Sequence, residues 1–263
     1  MKKLNKKIAV IYGNGAIGGA VARTFAKEGA EIFLAGRTPA KLATIQNDII
    51  SSGGTIETTI LDSLDGKAVE QHMTELIRTT GRIDISFNAT GLSQIGIQGI
   101  PLAQLSEEAF LMPINSYLKT HFITAKAAAA RMINQKGGGV ILMHTPNASH
   151  ISPPFVGGMV PAWSAIEGLC RSLSVEYGQQ GLRSVCLLTT GIPETPLIDE
   201  VWEIHGKAHG ITFEQFHEVM TGATHRKRLT TLNELSAAAV FAASDEGSAI
   251  TGTTFNLTAG MII

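Results

Sequence analysis

Short apolar runs and longer amphipathic segments alternate along this chain of 263 residues. Ile8 to Tyr12 is an unbroken apolar run, the pattern of a strand buried on both faces. A helix-period segment follows, with Ala20, Val21, Phe25 and Ala26 on one side and Arg23, Lys27 and Glu28 on the other. Gly29 closes it as a C-terminal glycine. Ala30 to Ala35 predicts a second strand, and Thr38-Pro39 opens a helix to about Ser52. Thr55 to Leu61 predicts a third strand, 66–80 a helix, and Ile83 to Phe87 a fourth strand. One long helix is expected over about 106–135, capped by Ser106 and rich in small residues from Thr124 to Ala130. Val140 to His144, Arg183 to Leu188 and Thr253 to Leu257 predict the last three strands, with helices at about 158–178 and 232–243. Strands alternating with helices predict right-handed crossovers. The fold class is therefore α/β, a Rossmann-type doubly wound parallel sheet of about seven strands with helices on both faces.

Composition narrows the picture. Hydrophobic residues make up 44% and charged residues 16%, as in a globular chain with a substantial core. A net charge of −1 gives no electrostatic basis for binding nucleic acid or an anionic membrane. No apolar run reaches the length of a membrane span. Lys2, Lys3, Lys6 and Lys7 precede an apolar run as in a signal peptide, but the glycines and charged helix that follow argue against one. Cys170 and Cys186 sit in apolar patterns without metal-ligand spacing, so buried thiols in a cytoplasmic protein are expected. A single domain over 1–263 is expected, interrupted only near 192–228.

The first strand feeds straight into Gly13-Asn14-Gly15-Ala16-Ile17-Gly18, which opens the first helix. Strand, GxGxxG loop and helix in that order form a pyrophosphate site. Gly13 permits a tight turn, Gly15 lets backbone approach the phosphates, and Gly18 lets helix and strand pack closely. Free N–H groups and the helix dipole then favour the anion.

These and later motifs together resemble the short-chain dehydrogenase/reductase family over nearly the whole chain. The matching pieces are Asp62 after the third strand, Asn88-Ala89-Thr90-Gly91 in place of NNAG, and Asn115 within PINSYLKTHF. AIEGLCRSLSVEYG, Thr190-Gly191-Ile192-Pro193-Glu194-Thr195 and the closing ITGTTFNLTAG also match. The glycine loop departs from the family's TGxxxGxG by being one residue shorter. The resemblance implies a dinucleotide held by Gly13, Asn14, Gly15, Ile17, Gly18, Arg37, Asp62, Asn88, Gly91, Gly191, Ile192 and Thr195. It also makes 192–228 a lid over the substrate, with Phe213, Phe216, Val219 and Met220 on one face of a lid helix.

The family's chemistry is hydride transfer between a nicotinamide and a carbonyl or alcohol. A tyrosine moves the proton, a lysine four residues later lowers its pKa, and a serine and an asparagine assist. A phenol near pKa 10 needs such a cation to work at neutral pH. Here the resemblance puts Met159 at the tyrosine, Trp163 at the lysine, and Pro146 at the serine, with Thr145 beside it. No tyrosine lies between 118 and 176, and no lysine between Lys136 and Lys207, which also excludes the longer spacing of the enoyl reductase branch. Ordinary carbonyl reduction is therefore expected to be absent. Asn115, Thr145 and His144 remain as candidate catalytic residues, with Ser149 and His150 nearby. His144 lies on a strand with one face in the core and reads first as a satisfied core histidine. Trp163 reads as filling the volume of the missing lysine.

Arg37, just past the second strand, can pair with a 2′-phosphate and favours NADP over NAD. His205, His209, His217 and His225 carry no HExxH motif, and no metal is expected. Two function classes stay open: an oxidoreductase-like enzyme with altered groups, acting on an unidentified carbonyl or alcohol, and a non-catalytic dinucleotide-sensing or scaffolding protein. A homodimer or homotetramer is expected from Ala125 to Ala130 and the apolar end Met261-Ile262-Ile263.

Overall fold

A computed structural model describes residues 2–261. Among them, seven strands form one parallel sheet in the order β3-β2-β1-β4-β5-β6-β7. The strands are β1 (Ile8–Tyr12), β2 (Glu31–Gly36), β3 (Thr55–Ile60), β4 (Ile85–Asn88), β5 (Gly139–Pro146), β6 (Leu182–Thr189) and β7 (Thr253–Leu257). The helices are α1 (Ala16–Lys27), α2 (Pro39–Ser51), α3 (Gly66–Thr80), α4 (Glu107–Pro113), α5 (Lys119–Met132), α6 (Ala148–Ile151), α7 (Met159–Tyr177), α8 (Pro196–His209), α9 (Phe213–Gly222) and α10 (Leu232–Ala243). The expected class and strand count hold.

Each central strand is buried on both faces, so its side chains alternate between two cores. Ala9 and Ile11 of β1 join Val21 and Phe25 of α1 and Leu235 and Ala239 of α10. Val10 and Tyr12 face the other way, toward Val69 and Met73 of α3 and Ile166 of α7. Fully burying such a side chain contributes about 1.5–3 kcal/mol, which makes β1 the mechanical centre. Strand order reverses between β1 and β4, and a crevice opens there beyond the carboxyl ends of the strands.

The long helix expected over 106–135 is interrupted. Ser106 caps α4 as expected, its Oγ accepting from Ala109 N at 3.2 Å. Pro113 then removes a backbone donor, and Ile114–Leu118 forms a π-helical turn before α5 begins. The segment expected to form a lid folds as α8 and α9. A capping box between Thr212 and Gln215 starts α9. Cys170 and Cys186 are both free and buried. Ile262 and Ile263 lie outside the described residues.

Candidate cofactor and ligand site

The glycine loop carries out three distinct steric tasks. Gly13 adopts φ +109°, and a Cβ there would stand 2.5 Å from Ala89 O in the turn after β4. A Cβ on Gly18 would stand 1.8 Å from Gly13 O. A Cβ on Gly15 would meet nothing within 4 Å. Gly15 is also the N-cap of α1, without a side-chain cap, and the first turn of that helix holds no acidic residue. Its N–H groups therefore remain available to an anion. These residues fit a dinucleotide pyrophosphate. Asn14 acts differently from its neighbours. It is buried, and its Nδ2 donates to Thr38 O at 2.7 Å, tying the loop to the end of β2.

Arg37 and Asp62 face a hollow of about 250 Å³ that also touches Thr90, Gly91 and Tyr117. Arg37 Nη1 lies 3.9 Å from Asp62 Oδ2, and both side chains are largely exposed, so the pairing is weak. Asn88 spends both polar atoms on the frame: Oδ1 accepts from Thr90 N at 2.9 Å and Nδ2 donates to Thr124 Oγ1 at 3.0 Å.

Past this hollow, a cavity of about 460 Å³ lies beyond the ends of β4, β5 and β6 and beneath α8 and α9. Ile17, Asn88, Gly91, His144, Gly191, Ile192 and Thr195 line it together, as do Phe216, Val219 and Met220 of α9. Phe213 instead packs against Trp202, with ring centroids 5.5 Å apart. Trp163 forms part of the cavity wall, Pro146 stands at the end of β5, and Met159 is fully buried. Among the described residues, no Asp, Glu, Lys or Arg lines this cavity.

Two of the expected catalytic residues point elsewhere. Asn115 lies in the π-helical turn and is exposed, outside the cavity lining. Tyr117 faces the cavity instead, its Oη accepting from Leu92 N at 3.3 Å. Two residues along a helix rotate a side chain by about 200°, so both cannot look inward. Thr145 is fully buried on the opposite side of β5 from His144, because alternate strand residues face opposite ways. Its Oγ1 donates to Glu167 Oε1 at 3.1 Å. Ser149 and His150 are engaged by the same carboxylate, at 2.6 and 2.7 Å. Glu167 is 5% exposed, and a buried carboxylate needs such partners.

His144 does face the cavity, and its Nε2 lies 2.9 Å from Thr189 Oγ1. Burial, and then the nearby His121, hold its pKa down at about 4. His121, one turn after Tyr117 on α5, also lines the cavity and is likewise held near 4 by burial. Its Nδ1 lies 2.9 Å from the Tyr117 carbonyl oxygen, which can only accept. Nδ1 therefore carries the proton and Nε2 presents a bare lone pair. Among the described residues, that Nε2 is the buried side-chain polar atom with no hydrogen-bond partner, a state that costs about 1–3 kcal/mol. Neither Tyr117 nor His121 was expected at the site. The signal that could have found them is their spacing of four on a helix leading from a proline-broken turn.

A polar chain ties α8 to the loop after β4. His205 Nε2 lies 2.7 Å from Gln98 Oε1, and Gln98 Nε2 donates to Gln94 Oε1 at 2.7 Å. His205 and His209 stand one helical turn apart, but their rings stack at 6.2 Å with an interplanar angle of 24°. Among the described residues, no group of three or more His, Cys, Asp or Glu is placed to hold a metal ion.

Sheet order and glycine loop agree with the short-chain dehydrogenase/reductase family, and the chain belongs to it. The family model described as enoyl-(acyl carrier protein) reductase matches residues 12–262. An uncharacterized oxidoreductase of Thermotoga maritima is 32% identical over 267 residues, covering 97% of this chain and 96% of that protein. Oxidoreductase UcpA of Escherichia coli K12 is 29% identical over 254 residues, covering 96% of this chain and 93% of that protein. In fold, the crystal structure of an NAD+-bound xylitol dehydrogenase matches with a TM-score of 0.91 at 21% identity, covering 98% of this chain and all of that one.

Proposed function

We propose that this protein binds a nicotinamide dinucleotide at the glycine loop and an uncharged carbonyl or alcohol in the lid-covered cavity, without the tyrosine–lysine chemistry of its family. The observation that carries this reading is the replacement of both groups by apolar side chains already packed into the wall. Met159 is fully buried and Trp163 is 8% exposed. No register of the chain supplies another phenol–ammonium pair there. A bound nicotinamide would supply hydride chemistry. The chain's own residues anchor the pyrophosphate at Gly13, Gly15 and Gly18, shape the ribose end with Ile17 and Asn88, and exclude water with α8 and α9.

Arg37 supports a preference for NADP over NAD, since its guanidinium is exposed beside the hollow and only weakly paired. A second reading is an oxidoreductase that uses an imidazole in place of the phenol. His144 and His121 on the cavity wall favour it. Two buried free cysteines support a reducing, cytoplasmic setting. The small-residue helix α5 supports a homodimer or homotetramer, and light scattering at micromolar concentration is expected to exclude a monomer.

The test of the main reading is a fluorescence titration with NADH and NADPH, followed by turnover assays with a panel of ketones. Tight dinucleotide binding with no ketone turnover is expected. Failure to bind either nucleotide removes the reading.

A further inference from the structure

We infer that the cavity beneath α8 and α9 takes an alkyl chain bearing a single uncharged oxygen function, with the oxygen at the strand end and the chain running under the two helices to the mouth. This deepens the proposed function and rests on the cavity being a ligand site. Polyols and ligands with a second polar group along the chain are excluded. Three observations carry it.

The first is that the lining changes character from one end to the other. Beyond the ends of β4, β5 and β6 it includes Asn88, Thr90, His144, Thr190 and Thr195. Under the helices it is hydrocarbon. Leu197, Ile198, Val201 and Trp202 share the inner face of α8, and Phe216, Val219 and Met220 of α9 have the i, i+3, i+4 spacing of one stripe. The charges of these helices stay outside. Asp199, Glu203, Lys207, Glu214 and Glu218 are all exposed, and none lines the cavity.

The second is that the polar side chains beside this apolar wall are already joined to one another. His205 Nε2 lies 2.7 Å from Gln98 Oε1, Gln98 Nε2 donates to Gln94 Oε1 at 2.7 Å, and Gln94 Nε2 donates to Leu92 O at 2.7 Å. All three side chains are buried. A hydroxyl carried along the ligand's body loses its water and meets hydrocarbon, which opposes binding.

The third is the mouth. Ile151, Pro154, His209, Val219 and Ala223 line the cavity and are exposed, so they stand at its opening, and four of these five are apolar. Val219 is 59% exposed and Ile151 37%. Single exposed apolar residues are ordinary, but these border a cavity of about 460 Å³, within the range of small-molecule sites. An alkyl chain leaving the cavity stays on apolar surface there.

The experiment titrates methyl butyl, methyl hexyl and methyl octyl ketone into the full chain. The chain's two tryptophans, Trp163 and Trp202, both line the cavity, so their fluorescence reports its occupancy. Affinity should rise about fourfold per added methylene. A methyl octyl ketone carrying a mid-chain hydroxyl should bind about tenfold more weakly than its parent, and xylitol should not bind at millimolar concentration. Val219→Glu places a charge at the mouth on an exposed position. It should weaken methyl octyl ketone about tenfold, between the share of one methylene and of two, and leave methyl butyl ketone within about twofold, since the short chain stops before the mouth. The parent series needs no variant, so it stands whatever the variant's folding. A flat series, equal binding of the hydroxylated ketone, binding of xylitol, or a Val219→Glu effect equal on long and short chains would each overturn the inference. A parallel NADPH titration separates the two failures. Nucleotide binding with a flat ketone series sinks only the ligand class, whereas a rising series in a chain that binds no nucleotide sinks the proposed function and leaves the ligand class standing.

Discussion

Replacing Gly15 and Gly18 separately by alanine should divide cofactor binding from stability. The added methyl at Gly18 would stand 1.8 Å from the carbonyl oxygen of Gly13, a backbone atom that cannot swing aside. Relieving that overlap means moving the loop or α1, and overpacking of this kind costs about 1–3 kcal/mol. For a domain of this size, about 2 kcal/mol lowers Tm by roughly 4–8 °C. The methyl at Gly15 meets nothing within 4 Å, and Gly15 has φ −78°, which alanine adopts without strain. The weaker N-cap preference of alanine is offset by the smaller entropy of its unfolded state, so stability should change by less than about 0.5 kcal/mol. If the proposed pyrophosphate lies against the first turn of α1, that same methyl would stand in its way. Losing one charge-assisted hydrogen bond of roughly 1.5–3 kcal/mol weakens binding about tenfold to a hundredfold. Calorimetric melting and NADPH fluorescence titration on both variants give the two numbers. A Gly15→Ala protein that binds NADPH like the parent, or melts as early as Gly18→Ala, would show that the loop does not work this way.

Arg37→Ala should remove a preference for NADPH over NADH of about 1 kcal/mol, as suits an exposed charge contact, and equal affinities in the parent would refute it. The parent should reduce no simple ketone at about 1 s⁻¹ or faster. The combined change Met159→Tyr, Trp163→Lys and Pro146→Ser should gain turnover by the roughly 10²–10⁴-fold that a positioned proton donor supplies, at a cost in Tm from opening the packed wall. Stability should also fall in acid. His121 and His144 have folded pKa values of about 4, below the ordinary 6.5. Each therefore stabilises fully above about pH 6.5 and loses that contribution as pH falls toward 4. His121→Phe should flatten urea-unfolding free energies across that window, and an unchanged slope in the variant would count against the burial of a neutral imidazole.

Much of the site was legible because it is local. A GxGxxG between an apolar run and an amphipathic helix needs no distant partner to be understood. The structure leaves no room for a Cβ at Gly13 or Gly18 and leaves Gly15 in open space. Met159 and Trp163 both fall on α7, Trp163 in the cavity lining and Met159 in the core. The assignments that moved depended on which way a side chain turns. Strand alternation alone would have shown that His144 and Thr145 cannot share a cavity. Only the buried carboxylate of Glu167, 22 residues away, explains why Thr145 is the one turned inward to the core.

The sequence by itself determined the parallel sheet, the position of the glycine loop and a stretch without tyrosine from 118 to 176, because each follows from periodicity or composition within a few neighbours. Tertiary structure decided the facing of the helix after Ser106. Pro113 withdraws a backbone donor, and the chain answers with a π-helical turn. Around that turn Tyr117 and His121 line the cavity and Asn115 is exposed. Phase is a sum over every turn before it, and one inserted residue shifts it by about 100°. Residue type cannot report that shift, which is settled by the packing of the whole helix against β4 and α7.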